Sequence, residues 1–402
     1  MTSSRDKRNV AVLAVCQAIF NSARSLTFLS AALVGVNMLG DDLTLVTLPI
    51  TLMLVGTAGA TIPSAYLMRW IGRKWGFFIM SMVGAAGASV CVYGVNQNDF
   101  WLFNSGIFVF GLYSGAAQQY RFAVADAAPD YFKAKAISLV LAAGVVGAFV
   151  GPESAKFSKD MFDLEFAGAF TALMLFTLAT GFAVLGVDIP KLSRLEYEDS
   201  GRPLGEIFKQ PTAIVAVLSA LFGYTAMNFL MTATPIAMKV GGGFDFNDTA
   251  FVIEWHVVGM FAPGFFTGSL INRFGVLKII MTGSILQFLS ILVALNGDSL
   301  TYFWISLFLL GVGWNFAFTG GTRLLTQVHT PSERAKVQGT NDFIVFTGMA
   351  LSALFSGTLY HHMGWTWVNY GVLPMVLIVL TATTWLSIIN RREADDASNP
   401  AE

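Results

Sequence analysis

Gly72, Arg121 and Pro129 in the first half of this chain recur as Gly275, Arg323 and Pro331 in the second, at offsets of 203, 202 and 202 residues within a length of 402. Each copy sits among long apolar runs. A chain that writes one segment twice at half its length builds two like units with a divide between them.

Apolar residues make up 55% of the chain and charged residues only 12%, against the roughly 25% charged residues of a soluble domain. Mean hydropathy is +0.63. That much apolar surface cannot be hidden in one water-soluble core, and the bilayer is the solvent that matches it. A net charge of −1 implies no bulk attraction to nucleic acid, so none is expected as a partner. No zinc-ligand cluster stands out, and neither a metal nor another cofactor is expected. Cys16 and Cys91 lie inside apolar runs, fit as small packing residues, and supply no disulfide framework. Arg5, Lys7 and Arg8 precede an apolar run to about residue 38. That run is too long for the core of a signal peptide, so a retained first helix is expected.

Runs of roughly 20 residues, enough to cross hydrocarbon, are expected at 9–38, 43–68, 75–96, 100–126, 134–155, 164–188, 211–238, 248–271, 276–296, 300–328, 335–360 and 366–390. They are too long and too little alternating for barrel strands, the other structure that satisfies its own backbone in lipid. The expected fold class is therefore an all-α polytopic membrane protein with twelve transmembrane helices in two six-helix lobes. With both termini placed in the cytoplasm, 18 of the 24 basic residues fall on that side. Three lie opposite (Lys156, Lys159, Lys239), and three fall inside spans (Arg24, Arg121, Arg323). The expected organisation is a first lobe at 1–190, a polar, proline-bearing cytoplasmic linker at 191–210, a second lobe at 211–392 and a polar tail at 393–402.

The turn at 65–74, AYLMRWIGRK, resembles the G-x-L-a-D-r-x-G-r-k loop of the major facilitator superfamily, and 268–275, GSLINRFG, resembles its second copy. Gly72 and Gly275 permit tight turns, and the basic residues hold these loops on the cytoplasmic face. The resemblance implies a monomeric secondary transporter that works by alternating access in the lipid bilayer. In the family, the acidic position of this loop helps latch the lobes. Here that position is Arg69 in one copy and Asn272 in the other, so a pairing of Arg73 with Asp126 is the alternative, against an exposed Asp126. Arg121 and Arg323, as repeat mates, are either paired gate contacts or side chains reaching the cytoplasmic interface. The segment 147–152, GAFVGP, resembles an element of drug:proton antiporters, but small residues four apart also serve helix packing.

An ionisable residue inside a span is costly and suggests function by default. Arg24 lies near the midplane of the first span. It either meets an anionic or carbonyl-rich substrate, or is a structural arginine satisfied by helix-end carbonyls or an acid. Glu254 and Asp342 each stand roughly two turns into a span and either carry a coupling proton or pair with an arginine. His256 reads as a hydrogen-bonded packing residue. Asn21, Gln118, Asn228 and Asn315 fall one on each of the four helices that line the cavity in this superfamily, with Asn341 and Trp314 beside them. Amides match the imide and amide edges of a heterocycle, and indoles stack on flat rings. Singly, each is as readily glue between helices. Together they suggest a neutral or weakly charged polar aromatic solute.

The strings at 71–77, IGRKWGF, and 255–268, WHVVGMFAPGFFTG, are similar to those of bacterial transporters assigned to riboflavin uptake. That resemblance implies vitamin import across the bacterial cell inner membrane, with protons as a possible coupling ion. A proton-coupled efflux antiporter for amphipathic compounds is the alternative, favoured by the Gly-Pro element, the 16 methionines and the aromatics. An enzyme is not expected, since neither H-E-x-x-H nor G-x-S-x-G occurs.

Overall fold

The computed structural model describes residues 4–40, 43–120, 123–124, 140, 143–189, 201–330 and 333–398. Described secondary structure is helical throughout. The elements are α1 (Ser4–Leu39), α2 (Leu48–Ile71), α3 (Arg73–Asn96), α4 (Phe100–Ala117), α5 (Gly144–Ser158) and α6 (Ala167–Val184). A single turn at Leu204–Ile207 precedes α7 (Pro211–Ile236), α8 (Phe246–Phe261), α9 (Gly264–Phe274), α10 (Val276–Ala294), α11 (Leu300–Leu325) and α12 (Arg334–Ser398).

Among the described residues, nine helices are long and apolar enough to cross a membrane, and α8 with α9, bent by 41° at Ala262–Pro263, makes a tenth. The chain is a multi-pass membrane protein by this measure. Its outer surface agrees: Trp70 (75% exposed) and Trp75 lie at one end of the bundle, Trp101 (66%) and Trp367 at the other. Indoles at both rims are what the two membrane–water interfaces select. Cys16 and Cys91 are both fully buried and free.

Three glycines turn the chain sharply. Gly72 (φ 89°, ψ 156°), Gly275 (φ 88°, ψ 147°) and Gly364 (φ 79°, ψ −176°) share a backbone region essentially reserved for glycine. Gly72 and Gly275 join α2 to α3 and α9 to α10. They define what is called here the near end. Gly364 breaks α12 at the opposite, far end, between the spans expected at 335–360 and 366–390. Aspartates start two helices from the far end: Asp99 Oδ1 accepts the amides of Trp101 (2.9 Å) and Leu102 (3.0 Å), and Asp245 Oδ1 accepts that of Asp248 (2.8 Å).

Within the first half of the chain, α3 packs on α4 and α6, α4 on α2, and α1 on α5 and α6. In the second, α7 packs on α11 and α12, and α11 on α8 and α10. Contacts across the halves run between α2 and α12, α5 and α8, and α1 and α7.

Candidate functional site

At mid-depth, three helices from the two halves face one another. α1 brings Asn21, Arg24, Ser25 and Phe28; α7 brings Met227, Asn228 and Met231; α8 brings Val257, Met260 and Phe261. Spacings of three and four residues put each set on one helix face. The sets enclose a cavity of about 30 Å³, room for about one water molecule.

The polar groups here are incompletely used. Arg24 donates from Nη2 to the Tyr224 hydroxyl at 3.2 Å, and its guanidinium lies 5.4 Å from the centre of the Phe28 ring. Among the described residues it has no carboxylate partner. Asn21 is 5% exposed, and its Nδ2 has no hydrogen-bond partner. Trp314 is equally buried, with an unpartnered Nε1. Its ring stacks on Phe318 (5.3 Å, 10°) and meets Tyr224 (4.9 Å) and Phe261 (6.0 Å) edge-on. A buried polar atom without a partner in a native fold is a candidate for a ligand or water contact.

Asn228 is fully buried and donates from Nδ2 to Met349 O (3.0 Å) and Ser352 Oγ (2.9 Å) on α12, while its Oδ1 is unpartnered. It is helix glue with one acceptor left over. Asn315 is committed on both sides: Nδ2 donates to Met260 O (2.7 Å), and Oδ1 accepts from Thr267 (2.6 Å). It ties α11 to α8 and α9 across their bend. Gln118 is half-buried at the end of α4, outside the cavity lining. Asn341 is buried, donates to Asp342 Oδ1 at 3.3 Å and leaves its own Oδ1 unpartnered; Asp342 is half-buried. The four expected amides therefore divide: Asn21 and Asn228 share the cavity, and Asn315 and Gln118 stand apart from it.

Of the expected gate residues, Arg121 and Asp126 lie outside the described residues. Arg73 is half-buried at the start of α3, and Arg323 is exposed in the last turn of α11. Gly147 and Gly151 are consumed by packing. A Cβ on Gly147 would stand 2.6 Å from Asn21 Cβ, and one on Gly151 2.5 Å from Ser22 O. The antiporter-like element thus seats α1 against α5. His256 is fully buried, with Nδ1 2.6 Å from Leu307 O on α11, a packing histidine as its sequence context suggests.

Glu254 pairs with Lys156 of α5 at 2.9 Å, and Lys156 also holds Glu153, three residues away on its own helix, at 2.6 Å. This pair bridges the halves on the far side of the cavity. Nearer the far rim, Lys239 donates to Asn37 Oδ1 (3.0 Å), Asn37 donates to Glu165 (2.8 Å), and Thr358 Oγ1 reaches Thr44 O (3.4 Å). A Cβ on Gly357 of α12 would meet Thr47 Oγ1, which shows how closely α12 approaches the start of α2 there. At the near end, the described ties stay within a half or bind the linker. Arg5 and Asn9 hold Asp188, and Arg202 forks onto Glu333 with Nε–Oε1 and Nη2–Oε2 both 2.8 Å. The Glu333 carboxyl is held well below its ordinary range by that guanidinium and by the amides of Thr330 and Arg202. The far-end contacts join the two halves of the bundle to each other.

Sequence reasoning missed Tyr224, Phe28, Phe261 and Lys156. Tyr224 stands one turn from Asn228 on the same face of α7, a signal that was available. Lys156 looked like an ordinary loop-side lysine, and only the packing of α5 on α8 reveals its partner. A larger hollow of about 370 Å³, bordered by Val92, Asn96, Met161 and Asp163, opens at the rim of the first half, away from these groups.

A sequence model of the Major Facilitator Superfamily matches residues 13–262 and 216–402. The chain is 41% identical over 377 residues to the riboflavin transporter RfnT of Brucella anthropi, covering 93% of this chain and 94% of that protein. It is 26% identical over 392 residues to the uncharacterized MFS-type transporter YdeG of Bacillus subtilis (92% and 90% covered). Among solved structures, the human organic anion transporter MFSD10 aligns over 95% of this chain and 100% of its own, with TM-score 0.69 and 13% identity. A bacterial homologue of the iron transporter ferroportin aligns over 94% and 99%, with TM-score 0.63 and 12% identity. These two likenesses speak to the fold.

Proposed function

The chain belongs to the major facilitator superfamily, and from that premise we propose that it imports riboflavin, using the layer around Arg24 as its binding site. It is a secondary transporter, and alternating access moves its solute past that layer. The observation that carries the vitamin reading is the mid-depth combination of an unneutralised Arg24, the unpartnered Asn21 Nδ2 and Trp314 Nε1, and the ring group Tyr224, Trp314, Phe318 and Phe261. Donors of this kind suit the carbonyl edge of a flavin, and the rings suit its flat face. The 41% identity to a riboflavin transporter supports the same reading.

In this reading Arg24, Asn21, Asn228 and Trp314 touch the solute, while Asn315, Gln118 and Asn341 shape the helices that hold them. A pocket for such a solute needs roughly 300 Å³ or more, so it enters only when the halves part. The architecture proposed is twelve spans in two lobes, 1–190 and 211–392, joined by a linker at 191–210 and ending in a tail at 393–402. Both termini face the cytoplasm of a bacterium whose inner membrane houses the protein as a monomer. Glu254 or Asp342 carries the coupling proton. Arg73, Arg121, Asp126 and Arg323, with the Gly72 and Gly275 turns, close the near end.

Binding tests this directly. Riboflavin added to the purified protein should lose fluorescence on stacking in the site, with a saturable dependence that Trp314→Ala and Arg24→Ala weaken. Unquenched flavin at any protein concentration would remove the vitamin from this site.

A further inference from the structure

Lys156 is held by two carboxylates of different allegiance. Glu153 is on its own helix α5, at the i,i+3 spacing that helix geometry maintains. Glu254 is on α8, in the other half of the chain, and its side chain is 9% exposed against 61% for Glu153. Glu254 also shares its helix face with Val257 and Phe261, which line the central cavity one and two turns further in. The carboxylate therefore stands between the far end and the cavity.

The asymmetry has a consequence when the halves separate. Lys156 keeps Glu153, because both ride on α5. Glu254 loses its cation, and an ionised carboxylate left in a poorly solvated position is costly. Water or a proton must replace the ammonium. The other charged or titratable groups near this pair are few. Lys159 follows on α5 but is engaged by Asp160 and Glu165. Arg24 on α1 faces the cavity, Lys239 beyond α7 holds Asn37, and His256 turns to α11. Arg323 lies at the near end of α11.

We infer that Lys156 and Glu254 form the far-end gate of the transport cycle, and that Lys156 and a proton compete for Glu254. Opening at the far end frees the carboxylate, which takes a proton from the solution on that side. Closure returns the ammonium to Glu254, and the proton leaves to the cavity beneath it. The sign follows from the competition: a proton takes the ammonium's place on Glu254 only when the far end is open, so by linkage acid favours opening. This deepens the proton-coupling part of the proposed function and is independent of which solute is carried.

The test reads far-end opening without any solute. A Met231→Cys reporter lines the cavity in a background with Cys16→Ala and Cys91→Ala, and an impermeant maleimide is applied to spheroplasts. The reporter's labelling rate, taken relative to the same cysteine in the denatured protein at the same pH to remove the thiol's own pH dependence, should be low at about pH 7.5 and higher at about pH 5.5. Glu254→Gln and Lys156→Gln should each label about fivefold faster at the higher pH, the order expected for loss of one ion pair. Glu254→Gln should also abolish the pH response. Glu153→Gln should leave labelling slow, and the doubly reversed Lys156→Glu, Glu254→Lys protein should return toward slow labelling. Unchanged labelling in both single variants, or a pH response that survives Glu254→Gln, would overturn the gate. A protein that labels normally but carries no riboflavin would sink only the vitamin reading.

Discussion

Arg24 on α1 and Tyr224 on α7 meet across the divide between the halves, guanidinium to hydroxyl at 3.2 Å. A neutral hydroxyl orients the cation without cancelling it. A guanidinium at membrane depth ordinarily pairs with an acid or serves a pathway, and its planar fork suits carbonyl and anionic oxygens. The Phe28 face beneath it adds attraction without consuming a donor.

Arg24→Ala should therefore lower solute uptake about tenfold or more, the order set by losing one charge-assisted hydrogen bond of ~1.5 kcal/mol. Membrane abundance should hold, as judged by immunoblot. Tyr224→Phe should have the smaller effect, since it removes only the orienting contact. Uptake by Arg24→Ala equal to that of the parent would take the residue out of the site.

Asn315 should behave as structure. Its amide satisfies Met260 O and Thr267 at once, so Asn315→Ala leaves buried groups unpaired at a cost of about 1–3 kcal/mol. The expected result is a lower melting temperature in detergent with flavin affinity retained. A variant of unaltered stability and weakened affinity would instead place Asn315 in contact with the solute.

The fold was legible because its signals are long. Apolar runs of membrane length and the doubled glycine turns survive boundary errors of a few residues. The Gly364 turn carried the same chemistry as Gly72 and Gly275 but has no basic neighbours to mark it. The site was legible only by residue type. Asn21 and Asn315 look alike in sequence, each an amide inside an apolar run. What separates them is that Asn21 Nδ2 finds no hydrogen-bond partner while Asn315 finds a carbonyl at 2.7 Å. That difference depends on how α1, α8 and α11 approach one another, which a single helix's spacing does not encode.

Two alanine substitutions of glycine should separate backbone strain from crowding. A Cβ on Gly275 or on Gly268 would meet nothing within 4 Å. Gly275 nevertheless holds φ 88°, so Gly275→Ala should cost about 1–3 kcal/mol. Gly268 is helical within α9, and its replacement should be neutral or stabilising by about 0.5–1 kcal/mol. Thermal unfolding of the two variants side by side checks this, and equal effects would contradict it.

The Glu333–Arg202 fork predicts an acid-tolerant tie between the linker's end and the α11–α12 loop. Glu333 is held below its ordinary value, so its contribution is complete above that value and is lost only as pH falls through the depressed one. The stability advantage of the parent over Glu333→Gln should be the same at neutral pH and at about pH 5. An advantage that fades over that interval would mean that the carboxyl titrates normally.

The central claim is import of riboflavin through the Arg24 layer. Labelled riboflavin uptake should be measured in a riboflavin-auxotrophic bacterium lacking its own importer, with the chain or its Arg24→Ala variant expressed, and with or without a protonophore. The account predicts saturable uptake by the parent, loss of accumulation with protonophore, and a deep reduction in the variant. No uptake by a parent protein shown to be in the membrane would contradict it.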